Sequence, residues 1–248
     1  MVAATQASID GLLRANRATA TLLQNLATMV HPGVTTGDLN EYALDYMRQL
    51  GAEPVFSTEE GFPGCINTSI NDAAVHGVPN NQKLKIGNVL SIDAGMLLGG
   101  YAGDSTISIG VGKISAKHQY LIDTTREAMM VGIRAALPGR HIGDIGYAIQ
   151  SYAQARGFDV LREYVGHRLG HRMHEKPDVP SVGRPGTGPE IPEGLVITIE
   201  PILVERSARV KVDPDGWTVR TVDGGWAAQF EHTVIVTRQG AKVLSQVV

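Results

Sequence analysis

The chain has 248 residues, of which 43% are hydrophobic and 19% charged, a composition ordinary for a globular protein with a substantial core. A net charge of −3 gives no electrostatic reason to expect a nucleic acid or an anionic membrane as a partner. With one cysteine, Cys65, the chain can form neither an intrachain disulfide nor a cysteine-cluster metal site. Since neither a signal peptide nor an apolar span of about 20 residues is apparent, we expect a mature, soluble, cytoplasmic protein.

Apolar spacing predicts helices followed by strands, twice in succession. Helices are predicted at 5–30, 37–51, 116–136 and 143–156, and strands at 65–70, 88–95, 102–111, 194–199, 202–205, 216–222 and 228–237. The segment 176–193 is predicted to be a loop.

A repeat links the two series of elements. Pro32-Gly33 and Gly37-Asp38 recur 106 positions later as Pro138-Gly139 and Gly143-Asp144. In both copies a helix ends in Pro-Gly and a second helix then leads into strands. This predicts one domain, 1–248, built from two halves at about 1–112 and 113–248, related by approximate two-fold symmetry with a site between them.

Four carboxylates lie in apolar, strand-like segments. They are Asp93, Asp104, Glu200 and Glu231. Burying a carboxylate is costly unless a cation or another partner neutralises it. Together with one imidazole, that of His167, they supply the oxygen-rich ligand set that suits a pair of divalent ions.

The predicted hairpin that carries the two aspartates can close in two ways. A turn at Leu98-Gly99 places Asp93 directly opposite Asp104, whereas a turn at Gly99-Gly100 places them one diagonal apart. Either register brings the two side chains to within about 5–8 Å on one face of the sheet.

The histidines allow more than one interpretation. His167 and His171 have the spacing of two ligands on a zinc-binding helix, but no HExxH motif is present and the flanking glycines favour a loop. His167 and His174 are therefore the better candidates for a ligand and a substrate-contacting group. A hydrolase with a single zinc ion on His167 and His171 is the weaker alternative.

Several segments, in this order, resemble the type I methionine aminopeptidases from about residue 10 to the end of the chain. They are Ser69–Pro79, Ser91–Asp93, Gly103–Asp104, Gly166–Pro177, Thr198–Pro201 and Ala228–Thr233. The resemblance implies the α+β "pita-bread" fold, in which two pseudo-symmetric halves surround a dinuclear metal site. It also implies two divalent ions per chain: cobalt, manganese, iron or zinc.

The resemblance implies a role for each matched residue. The metal ligands would be Asp93, Asp104, His167, Glu200 and Glu231. His76 and His174 would contact the substrate and act in catalysis, Glu200 would also move a proton, and Phe62 and Trp217 would line the methionine pocket.

The implied activity is removal of an N-terminal methionine when the second residue is small and uncharged. A hydroxide held by the two ions would attack the first peptide bond. We expect peptides or nascent-protein N-termini as substrates, the ribosome as a further partner, no membrane or nucleic-acid specificity, and a monomer.

Four positions depart from the family pattern, namely Asn67, Ala102, Arg168 and Met173. Because the ligands are intact, these changes bear on pocket shape, rate and side-chain preference. A prolidase or aminopeptidase P of the same fold is one alternative, although these usually carry an additional N-terminal domain. A binding protein without catalysis is another, but such relatives typically lose ligands.

Overall fold

A computed structural model of the chain describes residues 5–58 and 61–246. Its helices are α1 Gln6–Met29, α2 Thr36–Leu50, α3 Val55–Thr58, α4 Ala116–Ala135 and α5 Ile142–Gln154. The strands of the first half are β1 Glu53–Pro54, β2 Ile66–Ile70, β3 Ala73–Val75, β4 Val89–Leu98 and β5 Tyr101–Gly110. Those of the second half are β6 Asp159–Val160, β7 Gly166–Arg168, β8 Glu175–Val179, β9 Val196–Ile199, β10 Ile202–Val204, β11 Val210–Val212, β12 Val219–Thr221, β13 Ala227–Gln229, β14 Glu231–Thr237 and β15 Gly240–Val243. None of the helices in these two ranges is long and apolar enough to cross a membrane.

The main sheet is continuous through both halves. Its nine strands include the path β1-β4-β5-β14-β9-β7-β8, with β2 paired to β4 and β15 paired to β14. The central contact is β5 with β14, where Thr106 lies opposite Glu231. Two smaller sheets, β13-β10-β6 and β11-β12-β3, flank it. The carboxylates of the two halves therefore meet where the halves join.

Each half packs its own pair of helices on its own strands. In the first half, Leu26 of α1 and Leu39 of α2 lie in one buried cluster with Ile92 of β4. In the second half, Met129 of α4 and Ile145 of α5 lie in another cluster, which also contains apolar residues of β9 and β14. The amphipathic helices thus cover the sheet through their apolar faces.

The repeated segments make the same backbone contacts in both halves. The Gly33 amide donates to the Leu84 carbonyl at 2.9 Å, and the Gly139 amide donates to the Ile191 carbonyl at 3.0 Å. At the start of the second helix of each half an aspartate accepts from a backbone amide at 2.8 Å, Asp38 in one copy and Asp144 in the other. These matched contacts support a duplication, although the boundary at residue 112 stays a prediction.

The hairpin between β4 and β5 takes the second of the two predicted registers. Leu98 pairs with Tyr101, so the turn consists of Gly99 and Gly100. Both glycines have positive φ, 59° and 79°, as a two-residue type I′ turn requires. Leucine is disfavoured at such a φ, which explains why the turn at Leu98-Gly99 does not form.

The sequence predictions missed helix α3 and the short strands β1, β3, β6, β7, β11 and β15. Three further predictions were wrong in their bounds or their type. Strand β8 lies mostly inside the predicted loop 176–193, because its sequence Glu-Lys-Pro-Asp-Val buries little and it is held by pairing with β7. The predicted strand 228–237 is divided at Phe230 into β13 and β14, which belong to different sheets. The predicted strand 216–222 is shorter, so Trp217 precedes β12.

Candidate metal centre

Four polar side chains form a row across the adjacent strands β2, β4, β5 and β14. Asn67 on β2 lies opposite Asp93 on β4, and Asp93 lies opposite Thr106 on β5. Thr106 in turn lies opposite Glu231 on β14. Because paired residues share a face of a sheet, all four side chains project to the same side, and so does Asp104, two residues from Thr106.

Asp104, His167 and Glu231 approach one another most closely. Each is buried, and each offers one ligand atom within 4.8 Å of those of the other two. The His167 Nε2 atom lies 3.4 Å from Asp104 Oδ2 and 3.7 Å from Glu200 Oε1. Four of the five predicted ligands therefore lie within a few ångströms of His167 or are His167 itself. The fifth, Asp93, lies beside them in the row.

Neighbouring side chains fix the positions of these groups. The Asp104 amide donates to Asn16 Oδ1 of α1 at 3.2 Å, and the Asp104 carbonyl accepts from the Thr233 hydroxyl at 2.9 Å. The Thr198 hydroxyl accepts from the His167 amide at 2.9 Å and donates to Glu200 Oε1 at 2.7 Å. Thr198 thus connects the histidine on β7 to the glutamate after β9.

Burial and mutual repulsion perturb the titration of the cluster. Burial, followed by the charge of Asp104, raises the pKa of both Asp93 and Glu231 well above the ordinary range. Burial also raises the pKa of Glu200 to about 7, although the charge of His167 opposes it. Burial lowers the pKa of His167, but the hydrogen bond to Asp104 and the charge of Glu200 outweigh it and raise the pKa to about 9. The cluster holds more negative charge than its own imidazole can neutralise.

The chemistry of these residues fits a divalent-metal centre. Among the described residues, nothing donates a hydrogen bond to the buried oxygens Asp93 Oδ1, Asp104 Oδ1 and Glu231 Oε1. Buried polar atoms without a partner are rare in proteins and need a physical explanation such as a bound ion. Carboxylate oxygens with one imidazole nitrogen suit Mn, Fe, Co or Zn.

The predicted site residues line a single cavity of about 420 Å³. Its walls include all five predicted ligands together with Phe62, Asn67, His76, His174 and Trp217. The ring centroids of Phe62 and Trp217 lie 5.4 Å apart, edge to face, and those of His167 and His174 lie 4.3 Å apart. His76 has a φ of 56°, a left-handed conformation uncommon outside glycine, and its ring meets Tyr164 edge to face.

His171 lies away from this cavity. Its Nδ1 atom is 2.6 Å from the Gly100 carbonyl, and its ring packs beside Tyr101 at a centroid distance of 4.6 Å. His167 lies on strand β7, so it is not on a helix, and the predicted loop at this position was wrong because Gly166–Arg168 pairs with β8. The single-zinc alternative requires the two histidines to share one face of a helix, and they do not.

The four departures from the family pattern have different surroundings. Ala102 and Met173 are fully buried in one apolar cluster. Arg168 forms an ion pair with Glu175 at 2.9 Å, and Asn67 donates to Asp93 at 2.9 Å. Sequence reasoning also missed Thr106, whose hydroxyl donates to Glu231 Oε2 at 2.9 Å. Because Thr106 lies two residues from Asp104 on a strand, the two side chains share a face, and this spacing could have revealed it.

Comparison with known proteins identifies the class to which this fold and site belong. The sequence profile of metallopeptidase family M24 matches residues 10–238, and the chain belongs to that family. Methionine aminopeptidase B of Synechocystis is 43% identical over 243 residues, which cover 96% of this chain and 89% of that one. Methionine aminopeptidase 1 of Bacillus subtilis is 40% identical over 238 residues, which cover 96% of both chains.

Comparison with solved structures leads to the same family. The crystal structure of methionine aminopeptidase from Rickettsia prowazekii superposes with a TM-score of 0.96 at 38% identity, covering 98% of each chain. The prolidase from Pyrococcus furiosus gives a TM-score of 0.80 at 22% identity and is covered to 66% of its length, so it shares the fold alone. The predicted methionine aminopeptidase family and pita-bread fold are confirmed, and the comparisons favour this family over the prolidase alternative.

Proposed function

We propose that the chain uses two divalent ions, bound by Asp93, Asp104, His167, Glu200 and Glu231, to release methionine from the free N-terminus of peptides and nascent proteins. The observation that carries the proposal is a set of three buried carboxylate oxygens, beside His167 in one cavity, that accept no hydrogen bond from any described residue. The names of the relatives support methionine as the released residue.

The protein groups around the cavity suit hydrolysis of a peptide bond. Divalent ions, when bound, supply Lewis acidity and an activated water at neutral pH. Asp104, His167 and Glu231 would hold an ion together, because one ligand atom of each lies within 4.8 Å of those of the other two. Glu200, whose carboxylate faces the cavity and is held by the Thr198 hydroxyl, is placed to accept and return a proton during hydrolysis.

Two histidines suit contacts to the reacting amide. His174 lies next to the ligand His167, where it can donate to the oxygen that becomes negative during attack. His76, on another wall of the same cavity, can contact the scissile amide near the leaving nitrogen. Both roles are assigned from position in the cavity and from the resemblance to the family.

The aromatic pair Phe62 and Trp217 suits the methionine side chain. Thioether sulfur packs favourably at the edges of aromatic rings, and these two rings form one wall of the cavity. The resemblance to the family further implies a small, uncharged second residue. We also infer a cytoplasmic monomer that meets nascent chains near the ribosome, with Co, Mn, Fe or Zn as the metal.

An assay with two substrates and a metal series tests the proposal. The chelator-treated protein is incubated with each metal and with Met-Gly-Met-Met or an Xaa-Pro peptide, and the released amino acid is measured. We expect release of methionine from the first peptide only. Cleavage before proline without methionine release would overturn the substrate assignment.

Metal titration by calorimetry tests the ligand set. Glu231→Gln keeps the size of the side chain and removes its charge, so we expect at least one ion to bind far more weakly. His171→Asn is the matched control, because His171 lies outside the cavity. Loss of binding only in the His171 variant would instead favour the single-zinc alternative.

A further inference from the structure

We propose that Asn67 is a positioning residue of the metal centre: its amide Nδ2 group holds Asp93 Oδ2, so that Asp93 Oδ1 faces the bound cation. The inference rests on the proposed function, since it assumes that Asp93 is a ligand. The Nδ2 atom lies 2.9 Å from Asp93 Oδ2, and the two residues are directly paired across β2 and β4.

The row of four side chains alternates between donors and carboxylates. Asn67 donates to Asp93, and Thr106 donates to Glu231 at 2.9 Å. In each pair one carboxylate oxygen is held by a neutral donor, and the other is buried with no donor among the described residues. The two pairs thus orient their carboxylates in the same way, one within the first half and one across the junction of the two halves.

Asn67 itself is not explained by packing. Its side chain is 4% exposed, and its Oδ1 atom is buried without a donor among the described residues. An unpaired buried carbonyl destabilises a fold, and an apolar residue of the same size would avoid it. The bond from Nδ2 to a carboxylate is of the stronger, charge-assisted kind and offsets this cost. The side chain therefore matters through Asp93.

Three substitutions separate this role from a general effect on strand β2. Asn67→Leu keeps the branching pattern of the side chain, although leucine is larger, and removes the donor. Asn67→Thr keeps a donor on a β-branched residue, as at Thr106. Thr68→Val is the matched control, since Thr68 is equally buried on the same strand but points to the opposite face.

Calorimetric titration of the chelator-treated chains with Mn²⁺ provides a readout that does not depend on catalysis. We expect Asn67→Leu to weaken binding of one ion by about 10–100-fold, as loss of a group that orients a ligand typically does. Asn67→Thr should regain most of that affinity, and Thr68→Val should bind like the unmodified protein. Circular dichroism confirms that each variant is folded before titration.

The outcomes distinguish this inference from the proposed function. If the unmodified chain binds Mn²⁺ and releases methionine while Asn67→Leu binds equally well, the positioning role is wrong and the proposed function stands. The role is equally wrong if Asn67→Thr loses as much affinity as Asn67→Leu. If the unmodified chain binds no divalent ion, both proposals fail together.

Discussion

Removing the metal should reverse the way in which the protein's stability depends on pH. Glu200 has a pKa of about 7 in the folded chain, against an ordinary value of 4.5. The folded state therefore binds this proton more tightly than the unfolded state does. The resulting stabilisation is fully present below pH 4.5 and is lost as the pH rises through 7.

The size of the effect follows from that shift. Between pH 5.5 and 7 the metal-free protein should lose roughly 2 kcal/mol of unfolding free energy from Glu200, at about 1.4 kcal/mol per pH unit. His167 acts in the same direction, because its pKa is raised from 6.5 to about 9, so its stabilisation is lost as the pH rises through 9. A bound divalent ion displaces these protons and should stabilise the protein more at higher pH.

Urea unfolding of the chelated protein at pH 5.5, 6.2 and 7, with and without Mn²⁺, measures both trends. Glu200→Gln should remove about 2 kcal/mol of the pH dependence of the metal-free protein. Glu193→Gln, an exposed position paired with Arg238, should leave that dependence unchanged. Metal-free stability that is flat or rises with pH would refute the reasoning.

Three further predictions concern individual residues. His174→Ala should lower kcat for methionine release by about 10²–10⁴-fold with unchanged metal affinity by calorimetry, and a parallel loss of metal would contradict its assigned role. Trp217→Ala should lower kcat/KM for Met-Gly-Met-Met by about tenfold or more, mainly through KM, and an unchanged KM would place the side chain of methionine elsewhere. Gly103→Ala should lower the unfolding free energy by about 1–3 kcal/mol in urea, because its Cβ would lie 2.5 Å from the Ala15 carbonyl of α1. An unchanged midpoint would mean that α1 moves away from the sheet without cost.

Features encoded locally were predictable from the sequence. The four long helices are predicted to within two residues at every end, because their apolar periodicity and their capping residues are local signals, whereas the four-residue helix α3 was not predicted. The four candidate carboxylate ligands stand out for a similar reason, since a carboxylate inside an apolar strand is unusual wherever it occurs.

Features that depend on a partner strand were not predictable. Strand β8 carries few buried residues, and only its pairing with β7 makes it a strand. The predicted strand divides at Phe230 because the residues before it pair with β10 in one sheet and those after it pair with β9 in another. The contact from Asn67 to Asp93 joins residues 26 positions apart, and it requires the register of β2 on β4, which the sequence does not show.

The tight hairpin between β4 and β5 has a consequence for how the protein assembles. It brings Asp93 and Asp104 together through a two-residue turn, so this part of the site forms from local contacts that are rapid to make. His167, Glu200 and Glu231 all lie more than 60 residues after Asp104, so they reach the hairpin only through long-range contacts. Repulsion among the carboxylates opposes their final approach to one another. A cation finds all of its ligands only when that approach is complete. A divalent ion should therefore bind late in folding and hold the assembled state, slowing unfolding more than it speeds folding.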